Sequence, residues 1–312
     1  AKKLAKASKT ISALLRQGSY AAQAVTVMSP DQVVWPSNFS SSWAEHFRRT
    51  GTDALGTITS RLDLDLEIAP QVLVQSYHSR KLSAQSLADF AGNRHVAMTV
   101  VMTHVKSGKG FAPFGGFADA LMNVSSVPVL AVNAEAEPLK RYSTILFACD
   151  FSDECRRAFE KTLVLARRLE CRVRLFHRFF NPFDPMFVPA SPFVPAASDL
   201  AEFFSGHEEK MLKQAHEWAA RGTRQGVKVE IVFDKKAGTT AERILAWSHG
   251  ERHHRADIIA LAPQAGALAG LVLGSVSRDL LRSSKKPILL VHDTENSKGK
   301  RNAEQKDRKS DD

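Results

Sequence analysis

Leu273-Gly274-Ser275-Val276-Ser277-Arg278-Asp279-Leu280-Leu281-Arg282, running on to Lys285-Lys286-Pro287-Ile288-Leu289-Leu290-Val291, is the stretch on which the reading of the chain turns. A Gly-Ser turn opens a helix whose Val276, Leu280 and Leu281 fall at helical spacing, and Pro287 then starts an all-apolar strand. Gly274 lets a ligand approach the backbone closely, while Ser275 and Ser277 place hydroxyls beside the unpaired amides and positive end of the helix, where an anion is stabilised. The same residues also make an ordinary serine-capped helix. What separates the two readings is that the chain contains the pattern twice.

Aligned on the proline, Gly115-Gly116-Phe117-Ala118-Asp119-Ala120-Leu121-Met122 followed by Val127-Pro128-Val129-Leu130-Ala131-Val132 keeps the same glycine-to-proline spacing. Upstream, Met98-Thr99-Val100-Val101-Met102 matches Asp257-Ile258-Ile259-Ala260-Leu261 at the same offset. A strand, helix and strand repeated at nearly half the chain length means two similar α/β domains rather than a solenoid, whose repeats are far shorter.

Ile145-Leu146-Phe147-Ala148-Cys149-Asp150-Phe151-Ser152 and Gly274-Ser275-Val276-Ser277 give the chain its family likeness: it resembles the universal stress protein family in its tandem, two-domain form. The resemblance covers most of residues 1 to 292, closely in the second half and loosely in the first. It implies two tandem Rossmann-like (adenine nucleotide alpha hydrolase-like) α/β domains with parallel sheets, the first degenerate. The expected boundaries are residues 1–134 and 141–293, joined by a linker around Pro138, with a disordered tail over 294–312.

By the same resemblance Asp150 contacts a nucleoside, and Gly274, Ser275, Val276 and Ser277 hold phosphates through backbone amides and a hydroxyl, with ATP as the ligand. The family's loop has the form Gly-x2-Gly-x9-Gly-Ser/Thr, and counting back from Gly274 puts Leu261 and Gln264 where the first two glycines belong. If those positions need positive φ, each side chain costs roughly 1 to 3 kcal/mol. A micromolar ligand is held by only about 8 kcal/mol. In the first half Gly116 replaces the serine, and Met102 and Val105 stand at the glycine positions, so that half is expected to bind no nucleotide and to pair with the second. The resemblance implies that Val129 to Val132 meets Ile288 to Val291, and it favours a dimer or other homo-oligomer.

At 312 residues the chain is long enough for two cores. It has no run of membrane-spanning length, and Lys2, Lys3 and Lys6 lead into an amphipathic stretch over residues 2–17 rather than a signal-peptide core, so a cytoplasmic protein is expected. The net charge of +10 comes from scattered residues without the aromatic-basic motif of an RNA-binding module, and suits a solvated surface or steering of an anionic ligand better than DNA. Cys149, Cys155 and Cys171 are odd in number and lack metal-ligand spacing. Cys149 reads as a buried strand thiol, with a redox sensor as the sharper alternative.

Along the first half the pattern predicts strand 24–28, helix 43–60, strand 72–75, helix 83–91, strand 98–102 and strand 129–132. The second half repeats this order after a leading strand, 144–149, which the first half lacks; either residues ahead of Ala1 were trimmed, or this domain has lost its first strand. The second half then reads helix 153–169, strand 172–176, helix 205–222, strand 227–233, helix 240–247 and strand 257–261. Between Phe179 and Pro195 the density of proline and phenylalanine blocks regular structure, giving either a cover over the domain's own core or a docking surface for a protein or lipid. His249 and His253 sit four apart, but Gly250 interrupts the helix a metal pair would need. No nucleophile elbow, Walker loop or paired carboxylates with a base in register is present, so an enzyme reading has no residues to carry it. The expected function is a stress-response binding or regulatory module. The alternatives are an adaptor holding its partner by the Pro/Phe-rich loop and an ATP-hydrolysing enzyme of the same superfold.

Overall fold

A computed structural model of the chain describes residues 2–28, 41–62, 64, 66–75, 79–103, 116–133, 136, 138–179, 197–250, 255–263 and 273–292. Helices and strands alternate: α1 (Lys2–Gly18), β1 (Gln23–Met28), α2 (Ser41–Arg61), β2 (Ile68–Val74), α3 (Arg80–Asn93), β3 (Thr99–Thr103), α4 (Gly116–Val124) and β4 (Val129–Asn133). There follow β5 (Thr144–Ala148), α5 (Asp153–Arg168), β6 (Arg172–Arg178), α6 (Ala197–Arg224), β7 (Val229–Asp234), α7 (Thr240–His249), β8 (Ile258–Leu261), α8 (Ser275–Ser283) and β9 (Ile288–Leu290). Read from α1 the first half runs helix, strand, helix, strand; from α5 the second half repeats that order behind its extra strand, β5.

By packing, the chain divides into two compact units, Ser143–Ala262 on one hand and Ala1–Tyr142 with Pro263–Asp312 on the other. The expected second domain therefore shares its last helix and strand, α8 and β9, with the unit built on the first half.

In the unit 143–262 the strand order is β8-β5-β6-β7, all parallel. Parallel strands are covered on both faces, so their sequences are apolar at successive positions rather than alternating. Ile145, Leu146 and Phe147 of β5 and Ile258, Ile259 and Ala260 of β8 are fully buried. Helix α5 lays Cys155, Ala158, Phe159, Thr162, Leu163 and Ala166 on this sheet at helical spacing. Its ends are set by Ser152 as N-cap, Asp153 and Glu154 in the first turn and Arg167 and Arg168 in the last.

The other unit contains a parallel pair, β1-β2, and a three-stranded arrangement in which β3 runs parallel to β4 and β4 antiparallel to β9. The β4–β9 register is Val129↔Leu290, Leu130↔Leu289 and Ala131↔Ile288, the expected meeting of the two closing strands. All five residues of β4 and all three of β9 are buried. Asn133 Nδ2 donates to the Ser284 carbonyl at 2.9 Å, and His292 Nε2 lies 2.6 Å from the Met122 carbonyl. Helix α1 buries Ser8, Ile11 and Leu14 as its spacing predicts, and satisfies the Ser8 and Thr10 hydroxyls on the carbonyls of Ala5 and Lys6.

Most elements begin and end within a few residues of the sequence reading. Helix α6 is longer, starting at Ala197 rather than Ser205, and β7 starts at Val229 rather than Val227. Of the Phe179–Pro195 segment only Phe179 is among the described residues. It is 7% exposed and stacks on Phe233 at 4.7 Å between ring centroids, so that phenylalanine belongs to its own domain's core. The expected tail, Gln264 and His253 lie outside the described residues.

Candidate functional site

The order β8-β5-β6-β7 places a topological switch at β5: the chain leaves it through α5 towards β6, while β8 pairs on its other side. In open α/β sheets the loops diverge at such a point and leave a crevice outside the carboxyl ends of the strands, which is where ligands bind. Here those ends are level, with Ala148 of β5 in register with Leu261 of β8.

From β5 the chain enters Cys149-Asp150-Phe151-Ser152 and then α5. Asp150 is exposed, and its Oδ1 accepts hydrogen bonds from the Ser152 amide at 2.9 Å and the Ser152 hydroxyl at 2.7 Å. The Ser152 hydroxyl in turn accepts from the Cys155 amide at 3.1 Å, capping α5. One carboxylate is thus clamped in an Asx turn at the head of a helix, its orientation set by two local donors.

Between them Phe151 sits at φ +61°, a left-handed conformation that a bulky residue rarely adopts. That backbone turn sends its ring against His177 at 5.0 Å and Trp218 at 5.2 Å, and Trp218 stacks on Phe159. His177, at the carboxyl end of β6, hydrogen-bonds through Nδ1 to the Cys149 carbonyl at 2.7 Å, which makes Nδ1 the protonated nitrogen and Nε2 the acceptor of the neutral ring. Burial holds its pKa below the ordinary imidazole value, against the opposing pull of the Cys149 carbonyl and the Asp150 carboxylate; nearby His207 adds to the lowering. His177 was missed in the sequence because a histidine closing a strand reads as an exposed strand end. Only the fold brings it beside residues 149–151.

Cys149 is the buried strand thiol of the simpler reading. Burial, with Cys155 adjacent, pushes its pKa far up, so it holds its proton at any physiological pH and lacks the thiolate a sensor needs. The Phe151 amide donates to its sulfur at 3.2 Å. Among the described residues no cluster of three or more His, Cys, Asp or Glu side chains is placed to hold a metal.

In the other unit, Gly274 is the N-cap of α8 with φ −55° and ψ 159°, and no side chain caps the helix. No acidic residue lies in the first turn, so the positive end of α8 is not neutralised locally. Among the described residues, a Cβ built on Gly274 meets nothing within 4 Å. Ser275 is exposed and Val276 half-buried, whereas Ser277 is 3% exposed. Of the two serine hydroxyls, the one open to a ligand is that of Ser275. The structure groups Gly274 to Ser277 on one helix start, and Asp150 belongs to the unit 143–262.

Leu261, at the expected position of a loop glycine, is instead the last residue of β8, 4% exposed and absent from the positive-φ residues. Its extended backbone suits any side chain, so the conformational cost expected there does not arise. Met102 is likewise an ordinary strand residue of β3.

A family model described as the universal stress protein family matches residues 141–292, which begins in the linker before β5 and ends just after β9. No curated protein matches the sequence. Among solved structures, the fold is similar to that of a universal stress protein from Archaeoglobus fulgidus DSM 4304, with a TM-score of 0.60, 14% identity and 93% of each chain covered. A functionally unknown protein from Pseudomonas aeruginosa PAO1 is similar at a TM-score of 0.51 and 9% identity, over 91% of this chain and 97% of that one. At such identities the likeness is one of fold, and it extends over both halves.

Proposed function

We propose that this chain, whose residues 141–292 match the universal stress protein family model, is a tandem universal stress protein, a cytoplasmic binding module of the stress response that takes ATP in its second half. The observation that carries the reading is the switch point at β5, where parallel strands end level and a clamped, exposed carboxylate stands at the outlet. In this reading Asp150 accepts hydrogen bonds from the nucleoside hydroxyls, an anion's natural counterpart to sugar. The Gly274, Ser275 and Val276 amides and the Ser275 hydroxyl hold phosphate at the positive end of α8. Ser277, buried, supports that turn from within. The residues fit the ligand on one further count: among the described residues nothing fills the space beside Gly274, which suits close approach of a phosphate.

The reading has the second half do the binding while the first half, whose Gly116 stands in place of a serine, serves as structural partner. The family likeness also favours a homo-oligomer, checked by light scattering. Titration calorimetry with ATP on nucleotide-free protein tests the ligand, beside Asp150→Ala and Ser275→Ala. Micromolar binding lost in both variants is the expected result, with no turnover to ADP over hours. Absence of binding at millimolar ATP sinks the nucleotide reading, and steady ADP release replaces the module with a hydrolase.

A further inference from the structure

Cys149 follows β5 and Cys155 lies in the first turn of α5, and the fold brings the two thiols together although their spacing in the sequence is no metal signature. They are buried, at 9% and 2% exposure. Both sulfurs reach back to one stretch of backbone: Cys155 Sγ donates to the Ala148 carbonyl at 3.8 Å, and Cys149 Sγ accepts from the Phe151 amide at 3.2 Å. The Cys149 thiol in turn donates to the Cys155 sulfur. Cys171 stands apart beyond the other end of α5, its thiol on the Leu169 carbonyl at 3.5 Å.

Packing alone does not call for this arrangement. The N–H that reaches the Cys149 sulfur belongs to Phe151, whose left-handed φ of +61° is costly for a bulky residue and is the kind of strain that collects at functional sites. That amide and the positive end of α5 beside Cys155 both favour negative charge on sulfur. Burial nevertheless keeps the Cys149 thiol protonated. Sulfurs whose surroundings suit an anion, but which still hold their protons, suit a cation that displaces those protons. The carboxylates of Asp150, Asp153 and Glu154 around the same turn favour such a cation further.

The donor set selects the ion. A structural zinc takes four ligands and an iron–sulfur cluster four cysteines, and the chain has three cysteines in all. Asp150 Oδ1 is taken up by Ser152 and His177 Nδ1 by the Cys149 carbonyl. Among the described residues no third His, Cys, Asp or Glu side chain completes the pair. Soft thiolates select Cu(I), a closed-shell ion satisfied by two of them in a line.

We propose that Cys149 and Cys155 together bind one Cu(I) ion. Two copper–sulfur bonds form, both thiol protons leave to solvent, and no electron is transferred, so the bound unit carries one net negative charge. The Phe151 amide and the head of α5 offset that charge. The site needs no nucleotide and stands whether or not ATP binds.

Competition for Cu(I) against the chelator bicinchoninate, on the anaerobic, reduced, nucleotide-free 312-residue chain, tests this beside Cys149→Ala, Cys155→Ala and Cys171→Ala. The chain should take one equivalent. Cys149→Ala and Cys155→Ala should each weaken binding by at least about 100-fold, the upper end of what loss of a merely supporting contact costs, and Cys171→Ala should leave it unchanged. X-ray absorption on the unsubstituted, copper-loaded chain gives a second measurement that no folding defect can imitate, and should show two sulfur neighbours and no nitrogen. Failure to take copper from the chelator overturns the proposal, as does an equal loss in Cys171→Ala. Nitrogen neighbours would overturn it too, by moving the ion to histidine.

Discussion

With φ at −55° and, among the described residues, open space where a Cβ would stand, Gly274 is not required by the conformation of its own turn. Gly274→Ala should therefore change stability by no more than about 0.5 kcal/mol, while lowering ATP affinity at least tenfold, or about 1.4 kcal/mol, because the methyl fills the space a phosphate would use. Urea unfolding and calorimetry on one preparation check both halves of that statement. Equal affinity would mean that the glycine is only a cap. His177 makes a second prediction. Held below the ordinary imidazole value, it is neutral in the fold. As pH falls below about 6.5 the unfolded chain takes up the proton first. Its contribution to stability is thus complete above that pH and lost as pH drops towards the folded value. The urea midpoint should fall between about pH 7.5 and 5.5, and fall less in His177→Gln; an equal fall in the variant would move the effect to other groups. Asp150 was singled out by the family resemblance of residues 145–152, and it follows β5. His177 was not, since its neighbours Phe151, Phe179 and Phe233 come from separate elements.

Elements were legible where one periodicity ruled a whole segment and obscure where two signals met. The all-apolar runs of β5, β8 and β9 and the amphipathic α1 and α5 lie within a few residues of their expected bounds. Helix α6 begins earlier than expected, because the proline-rich stretch ahead of it masks a start at Ala197-Ser198-Asp199. Near the other end of α6, Gly222 packs so closely that a Cβ there would stand 2.2 Å from Val229 Cγ2 and 3.3 Å from Leu163 Cδ2. Alanine inside a helix ordinarily gains about 1 kcal/mol over glycine. Here the contact with β7 outweighs that gain, and Gly222→Ala should destabilise the protein by about 1 to 3 kcal/mol. Adding Val229→Ala should recover part of the loss. A stabilised single variant in urea unfolding would show that α6 is free to shift away from β7. At the far end of β7, Asp234 is gripped by Arg243 at 2.9 Å and by the Trp247 indole, and these partners outweigh burial to hold its carboxyl below the usual carboxylate range. Asp234→Ala leaves Arg243 without that partner and should cost about 3 kcal/mol, read from the same urea curves.

For the molecule as a whole, the repeat of the Gly–Pro spacing announced two similar halves, the family resemblance added that their closing strands would meet, and neither said that α8 and β9 would pack as one unit with the first half. What decides that is β4, whose buried Val129, Leu130 and Ala131 pair with Leu290, Leu289 and Ile288 of β9 on one edge while β3 pairs along the other. Cutting the chain after Tyr142 therefore does not release a self-sufficient half. It exposes an apolar edge with unpaired amides and carbonyls, which recruits another strand of the same kind. A fragment of residues 1–142 should self-associate, its mass by light scattering rising with concentration. A peptide of residues 273–292 should reduce that association by restoring the register Val129↔Leu290, Leu130↔Leu289 and Ala131↔Ile288. A folded, monomeric 1–142 fragment would show instead that β4 closes its own edge, and that α8 and β9 are bound to the first half without being needed by it.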